Sequence, residues 1–524
     1  MKQIGNKVRF FQLKFFIYFG AGQGNRTLYL IVGKYYHLLK VLYFNGYFKS
    51  NDHKRRLHES KVSQKFNLIL LILALIILRK LYTIVIYDNY ICMNQILKID
   101  ETFNLAVKNH IKNNLKEAQN FYNQVLKINP NHINSLNNLG GLFKQLGETK
   151  TAKSFYKKTI EINPNFADGH NNLGIIYREL GDHQKAVSCY KKTIEINPNF
   201  ANAHYNLGII YRELGDHQKA VSCYKKTIEI NPNHINSYNN LGIVLEELGE
   251  YKKALSCYEK GIEINPNNIN FYWNAHILAS DMDESLSRLK KLYKIDNKHT
   301  KAKIMIGALE GYKGNIDLFN DILTSSDSDH PYTRSAKWIF SLPKLPRIFF
   351  NRCSFFDAVI AVSEKSRPFY EFGVWNGVSF QYLINTFKKG FGFDTFTGIP
   401  ETWHNEPKGN YSNFGVVPKI EGGEFIVGKF EDTLPDFFLE ERPKASLINF
   451  DADLYSSTIC ALNYANKVID DKTILIFDEL IMNENWEKDE LKALNEFCYN
   501  SGFSFEVIAF SFSTKQVAIK LKKN

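Results

Sequence analysis

Five prolines, Pro130, Pro164, Pro198, Pro232 and Pro266, stand 34 residues apart, and no other feature constrains the fold of this chain so tightly. The same step links Gly140, Gly174, Gly208 and Gly242, then Ala152, Ala186, Ala220 and Ala254, then Tyr156, Tyr190, Tyr224 and Tyr258. Small residues, an aromatic and a breaker at fixed offsets describe a helix–turn–helix unit. Gly and Ala let two helices approach, the Tyr packs between them, and Asn-Pro closes the unit. Such a unit cannot bury its apolar face alone, so neighbours must stack into an α superhelix with a concave face.

The pattern N-L-G-x(6)-G-x(4)-A-x(3)-Y-x(7)-P resembles the tetratricopeptide repeat. Four good copies occupy 132–267, a degenerate copy with Ala118 and Tyr122 in register precedes them, and a shortened one runs to about residue 300, so the array is assigned to 98–300. Asn138, Asn172, Asn206 and Asn240 share the period. An amide both donates and accepts, so this column is either a clamp for a peptide backbone or a consensus choice at that position. The array is expected to bind a protein or peptide partner, or to organise the rest of the chain.

At 524 residues the chain exceeds one compact core. The net charge of +12 lies in its first part: residues 1–92 carry 15 Lys and Arg against 3 Asp and Glu, leaving 51 of each sign for 93–524. The body is neutral, and no nucleic-acid partner is expected. Seven cysteines without zinc-ligand spacing, three of them (Cys189, Cys223 and Cys257) inside the repeat, read as small buried residues of a reducing, cytoplasmic compartment. Residues 1–92 are either a basic leader or translated sequence upstream of a start at Met93. The segment 66–87 contains an unbroken apolar run of 11 residues, Leu68–Leu78, followed by Arg79-Lys80. A bilayer needs about 20 apolar residues, so this is a marginal span, and membrane attachment would run through it if the N-terminus is genuine.

Residues 301–349 read as a helical linker, with the polar stretch TSSDSDHPY at 324–332 and SLPKLP at 341–346 breaking helices. From 350 to 524 short apolar runs alternate with helical patterns: RPFYEFG, GFGFDTF, ASLINFDADLY, KTILIFDEL, then SFEVIAFSF and QVAIKLK. This alternation predicts an α/β domain with a doubly wound, mostly parallel sheet and an antiparallel C-terminal hairpin at one edge. Ligands of such sheets sit beyond the carboxyl ends of the strands, where the polar residues fall.

Glu371, Gly373 and Gly377 end one strand and open a helix, a turn at which backbone can approach a ligand. Asp394 ends the next strand about 20 residues on, placed for ribose hydroxyls. Farther along, Asp451 and Asp453 in NFDADLYSS form an Asp-x-Asp at a strand end, and Asp478-Glu479 end the following strand. Asp-x-Asp alone is ambiguous, since it could hold a metal against a sugar diphosphate or against a hydroxyl about to be methylated.

YEFGVWNGVSF, GFDTFTGIPETW, GKFEDTLP, DADLYSST and FDEL, in this order, resemble the class I S-adenosylmethionine-dependent methyltransferases of the macrocin O-methyltransferase type over roughly 350–524. The resemblance implies that Glu371, Gly373 and Gly377 contact the methionine end of S-adenosylmethionine and Asp394 its ribose. It implies Asp451, Asp478 and Glu479 as ligands of a divalent metal, magnesium by its preference for hard oxygen donors, and Asp453 as general base. The family more often has two aspartates where this chain has Asp478-Glu479. The implied acceptor is a hydroxyl of a sugar or related small molecule or glycan. His404 lies in a loop over the same strand ends, where it is either a substrate contact or, the favoured reading, an ordinary solvated histidine. Two rivals are a tetratricopeptide glycosyltransferase using Asp-x-Asp and a non-catalytic binding scaffold.

Overall fold

The computed structural model describes residues 56–404 and 406–523, which fall into two compact units, Met1–Pro130 and Asn131–Asn524. Residues 1–55, the first part of the segment expected as a leader or an over-long start, therefore lie outside the described residues. In the first unit one helix runs from Arg56 to Ile111 and a second from Leu115 to Ile128. Ile69, Ile72, Leu73, Leu75, Ile76 and Ile77 of the apolar segment are exposed. Among the described residues no helix is long and apolar enough to cross a membrane.

The second unit opens with eight helices of 13 or 14 residues, from Ile133–Gln145 to Tyr251–Ile264, two per 34-residue repeat. The periodic residues do what their chemistry requires. Tyr156, Tyr190, Tyr224 and Tyr258 are buried, each against the glycine 16 positions before it. A Cβ at Gly174 would lie 2.6 Å from the Tyr190 ring and one at Gly208 2.7 Å from that of Tyr224. Shortened units follow, with helices Ile269–His276 and Met282–Ile295.

Three amides of the asparagine column, Asn172, Asn206 and Asn240, bond between repeats. Asn172 Nδ2 donates to Asn137 Oδ1 at 3.0 Å, Asn206 to Asn171 at 3.1 Å and Asn240 to the Tyr205 hydroxyl at 3.2 Å. Each bond joins neighbouring repeats, so these amides fasten the stack, at about 1 kcal/mol apiece.

The segment expected as a linker is packed. Helices Thr300–Tyr312, Asp317–Leu323 and Pro331–Ser341 contribute Leu309, Phe319 and Ile339 to the same buried cluster as Phe372, Phe450 and Phe477 of the sheet. Within TSSDSDHPY, Lys303 pairs with Asp327 at 3.0 Å, and the Thr333 hydroxyl donates to the Asp327 carbonyl at 2.8 Å. A polar, Pro-terminated stretch is here a fixed corner rather than a tether.

The C-terminal region carries a mixed sheet of eight strands: β1 Arg347–Ile348, β2 Phe369–Phe372, β3 Gly390–Asp394, β4 Gly423–Val427, β5 Leu447–Phe450, β6 Ile474–Phe477, β7 Phe503–Phe510 and β8 Val517–Lys523. Their order is β1-β7-β8-β6-β5-β2-β3-β4. From β6 to β4 all neighbours are parallel, and β8 is antiparallel to both β6 and β7. The hairpin is antiparallel as expected, but it is not the edge. The two-residue β1, just after Pro346, adds a parallel strand beyond β7.

β2, β5 and β6 are buried along their whole length, as strands covered on both faces must be. Their alternate residues feed two cores. Phe369, Leu447, Ile474 and Ile476 pack with Phe355, Phe356, Phe380 and Leu383, while Tyr370, Ile448, Phe450, Leu475 and Phe477 pack with Leu434, Leu462 and Leu494. The direction of chain progression reverses at β2, which lies between β3 and β5.

Candidate functional site

Four parallel strands end on phenylalanine or one residue past it. In register, Phe372 stacks on Phe393 (ring centroids 4.7 Å apart) and on Phe450 (5.4 Å), and Phe450 stacks on Phe477 (4.9 Å). This aromatic row forms a floor. The residue after each ring is Gly373, Asp394, Asp451 or Asp478, and all four line a cavity of about 220 Å³.

Gly373 is left-handed, at φ +89°, and a Cβ there would overlap the Asp451 carbonyl oxygen. Only glycine fits such a crossing of two strand ends. Asp394 Oδ2 accepts from the N–H groups of Val374 and Trp375, both at 2.7 Å, and its Oδ1 from Phe396 N–H at 2.6 Å. The acid expected on a ribose thus pins the glycine loop while lining the cavity.

Glu371 and Gly377, expected at the methionine end of a cofactor, lie just behind the residues that line the cavity. Glu371 is fully buried within β2. Its Oε1 accepts from the Ser379 hydroxyl at 2.5 Å and from Asn449 Nδ2 at 2.8 Å, and its Oε2 has no partner. Burial pushes this carboxyl up to about 7. Gly377, at φ +80°, is the N-cap of helix Val378–Phe387. Both residues shape the loop from behind.

Asp451 and Asp453 face the cavity from the β5 end, and Asp453 is itself left-handed, at φ +57°. Burial first, then the charges of Asp478 and Asp453, holds the Asp451 carboxyl well above the usual carboxylate range. Asp453 is raised by burial, then by Glu479 and Asp478. Mutual repulsion in a desolvated site raises the proton affinity of both.

Asp478 and Glu479 are already paired. Arg352 Nη2 lies 2.7 Å from Asp478 Oδ2, and Gln516 Nε2 donates to Asp478 Oδ1 at 2.7 Å. Lys515 Nζ donates to Glu479 Oε1 at 2.7 Å. Among the described residues no group of three or more His, Cys, Asp or Glu converges to hold a metal. In this arrangement Asp451, Asp478 and Glu479 therefore do not fit as a ligand set, because two of them are turned to Arg352, Gln516 and Lys515.

Arg352, Lys515, Gln516 and Glu490 are additions that sequence reasoning missed. Glu490 is buried, and burial followed by the charges of Asp453, Asp478 and Glu479 raises its carboxyl. No spacing pattern announces these residues. His404, expected as solvated, has its Nε2 2.9 Å from Asp489 Oδ2. It lines a neighbouring cleft of about 650 Å³ that shares Tyr411 and Glu479 with the cavity.

Residues 103–132, 133–166, 167–200 and 199–267 match family profiles of the tetratricopeptide repeat. The helical array is therefore a tetratricopeptide-repeat array. Among solved structures, the chain is similar to MamA, with 29% identity over 31% of this chain and 94% of that one at a TM-score of 0.28. It is also similar to pilF of Pseudomonas aeruginosa, with 18% identity over 42% and 99% at 0.37. YrrB, described as a repeat protein with an unusual peptide-binding site, is 20% identical over 37% and 97% at 0.30. No curated protein matches the chain.

Proposed function

We propose that residues 350–524 are an S-adenosylmethionine-dependent O-methyltransferase domain carried on a tetratricopeptide array that binds a protein or peptide. One observation carries this reading. Where chain progression reverses, at β2, a glycine loop, its bonded acid Asp394 and the carboxylates Asp451 and Asp453 converge on one cavity over the ends of parallel strands. Such a reversal point is where open α/β sheets bind nucleotide-like ligands. Gly373, Trp375 and Asp394 would hold the cofactor, which supplies an electrophilic methyl group on a sulfonium.

The remaining chemistry falls to this chain's own side chains. Asp453, with its raised proton affinity, accepts the proton of an acceptor hydroxyl, which a normal carboxylate would do less well near neutrality. Arg352 and Lys515 offset the negative charge that gathers at Asp478 and Glu479. The acceptor is a hydroxyl of a sugar, glycan or related small molecule, entering along the cleft that shares Tyr411 and Glu479 with the cavity.

Calorimetry with S-adenosylhomocysteine and with UDP-sugars tests the reading. Binding of the first alone supports it, while binding of a UDP-sugar alone points to a glycosyltransferase. In Asp453→Asn we expect methyl transfer to fall roughly 100-fold or more, with S-adenosylhomocysteine affinity unchanged within about twofold. Full turnover in that variant would remove Asp453 as base. A second reading, a binding scaffold without catalysis, is favoured by the comparisons, whose family matches all fall in the repeats. Binding of neither ligand supports it.

A further inference from the structure

Four turns of the repeat array are equivalent in position and conformation. Gly147, Gly181, Gly215 and Gly249 are 34 residues apart and left-handed, at φ +78°, +73°, +71° and +72°. Their surroundings differ. Nothing lies within 4 Å of where a side chain would begin at Gly147 or Gly181, whereas at Gly215 it would meet the Phe414 ring at 2.6 Å and at Gly249 Val378 at 3.0 Å. The sheet region thus covers two of the four turns.

Beside those turns, repeat residues reach the glycine loop. The His217 ring sets edge-on to Trp375, with centroids 6.1 Å apart and planes at 83°. Asn376 Nδ2 donates to the Glu247 carbonyl at 3.1 Å, and Asn376 Oδ1 accepts from Val378 N–H at 3.2 Å. Glu247 is itself fixed: Arg212 Nε and Nη2 donate to its Oε1 at 3.0 and 2.7 Å, and His217 Nδ1 lies 3.1 Å from its Oε2. Trp375 has φ +49°, a region in which an L-residue with a bulky side chain is strained. Asp394 holds it from the cavity side, and the repeats hold it from the other.

We infer that the turns of the third and fourth repeats are positioning elements of the cofactor site: His217, Glu247 and Asn376 keep the Trp375–Gly377 loop in the shape that the cofactor meets. The inference rests on the methyltransferase reading above. It makes the array a determinant of cofactor affinity as well as a surface for partners.

The chain supplies its own control. Residues 172–199 and 206–233 are identical in sequence, so His183 is the counterpart of His217 on a turn whose glycine, Gly181, faces open space, and its Nδ1 lies 3.7 Å from Glu213 Oε2 of the next repeat. Full-length wild type, His217→Ala, Asn376→Ala, His183→Ala and His217→Phe are titrated with S-adenosylhomocysteine by calorimetry. Hydrogen exchange of the amides of 373–380 is followed without ligand, and thermal midpoints are compared. We expect His217→Ala and Asn376→Ala to weaken binding roughly five-fold, the size of one lost contact, and to speed loop exchange. His183→Ala should stay within about twofold of wild type with the same midpoint as His217→Ala, and His217→Phe, which restores an aromatic edge, should recover most of the affinity. Wild-type binding with both loop variants unchanged overturns the inference and leaves the methyltransferase reading standing. Equal weakening by His183→Ala also overturns it, and wild type that binds no S-adenosylhomocysteine overturns both.

Discussion

Glu371 is bonded twice through one carboxyl oxygen and not at all through the other, in a strand with no exposure. Its folded carboxyl sits at about 7 against an ordinary 4.5. Between those values the folded chain keeps a proton that the unfolded chain has lost, so this group's contribution to stability is full below about 4.5 and disappears as pH rises through 7. Urea unfolding at pH 5 and pH 7.5 should show wild type losing about 2–3 kcal/mol more than Glu371→Gln, which carries no titrating proton. Parallel pH dependences would place the titration elsewhere. Single residues were unevenly legible. Asp394, Asp451 and Asp478 could be picked out because each follows an apolar strand, and a strand end is where a doubly wound sheet keeps its ligand groups. Arg352, Lys515 and Gln516 could not, because they meet Asp478 and Glu479 across separations of 126, 36 and 38 residues. A lone basic residue at a helix start or in a hairpin turn looks like any solvated charge. The Asp-x-Asp motif likewise announced acids without announcing which cations already hold their neighbours.

At the scale of elements, the repeats were readable because each periodic position has one steric job. The same glycine step has two different physical reasons, however, and substitution separates them. Gly208→Ala drives a Cβ into the Tyr224 ring at 2.7 Å inside a packed stack, whereas Gly181→Ala meets open space and only the cost of a left-handed alanine. The first should cost about 2–3 kcal/mol and the second about 1 kcal/mol in urea unfolding. Equal costs would mean that the Tyr ring yields freely. The parallel strands were readable from their apolar runs, but the phenylalanine closing each one carried a further signal. Phe-Gly in β2 and Phe-Asp in β3, β5 and β6 mark the level at which the aromatic row ends and the polar site begins. The two-residue β1 had no such signal, since a strand this short is defined by its ladder to Ala509 and Phe510 and not by its own residues.

For the second compact unit as a whole, the polar stretch 324–332 misled because composition reports solvation and not fixation. Lys303, Thr333 and the pairing of Arg334 with Glu487 at 2.7 Å hold that corner, and the flanking helices share the sheet's core. Limited trypsin digestion of the native protein is therefore expected to leave Arg334 and Lys337 uncut. A fragment ending at either would mean that repeats and sheet are hinged there. The identity of residues 172–199 and 206–233 also bears on heredity. Unequal crossing-over between the two stretches would duplicate or delete one 34-residue step, yet every product would still present the same His-bearing turn, followed by Glu247 and Gly249, to the glycine loop. Such an exchange would change the number of repeats before this turn and leave the register of the turn against the sheet as it is.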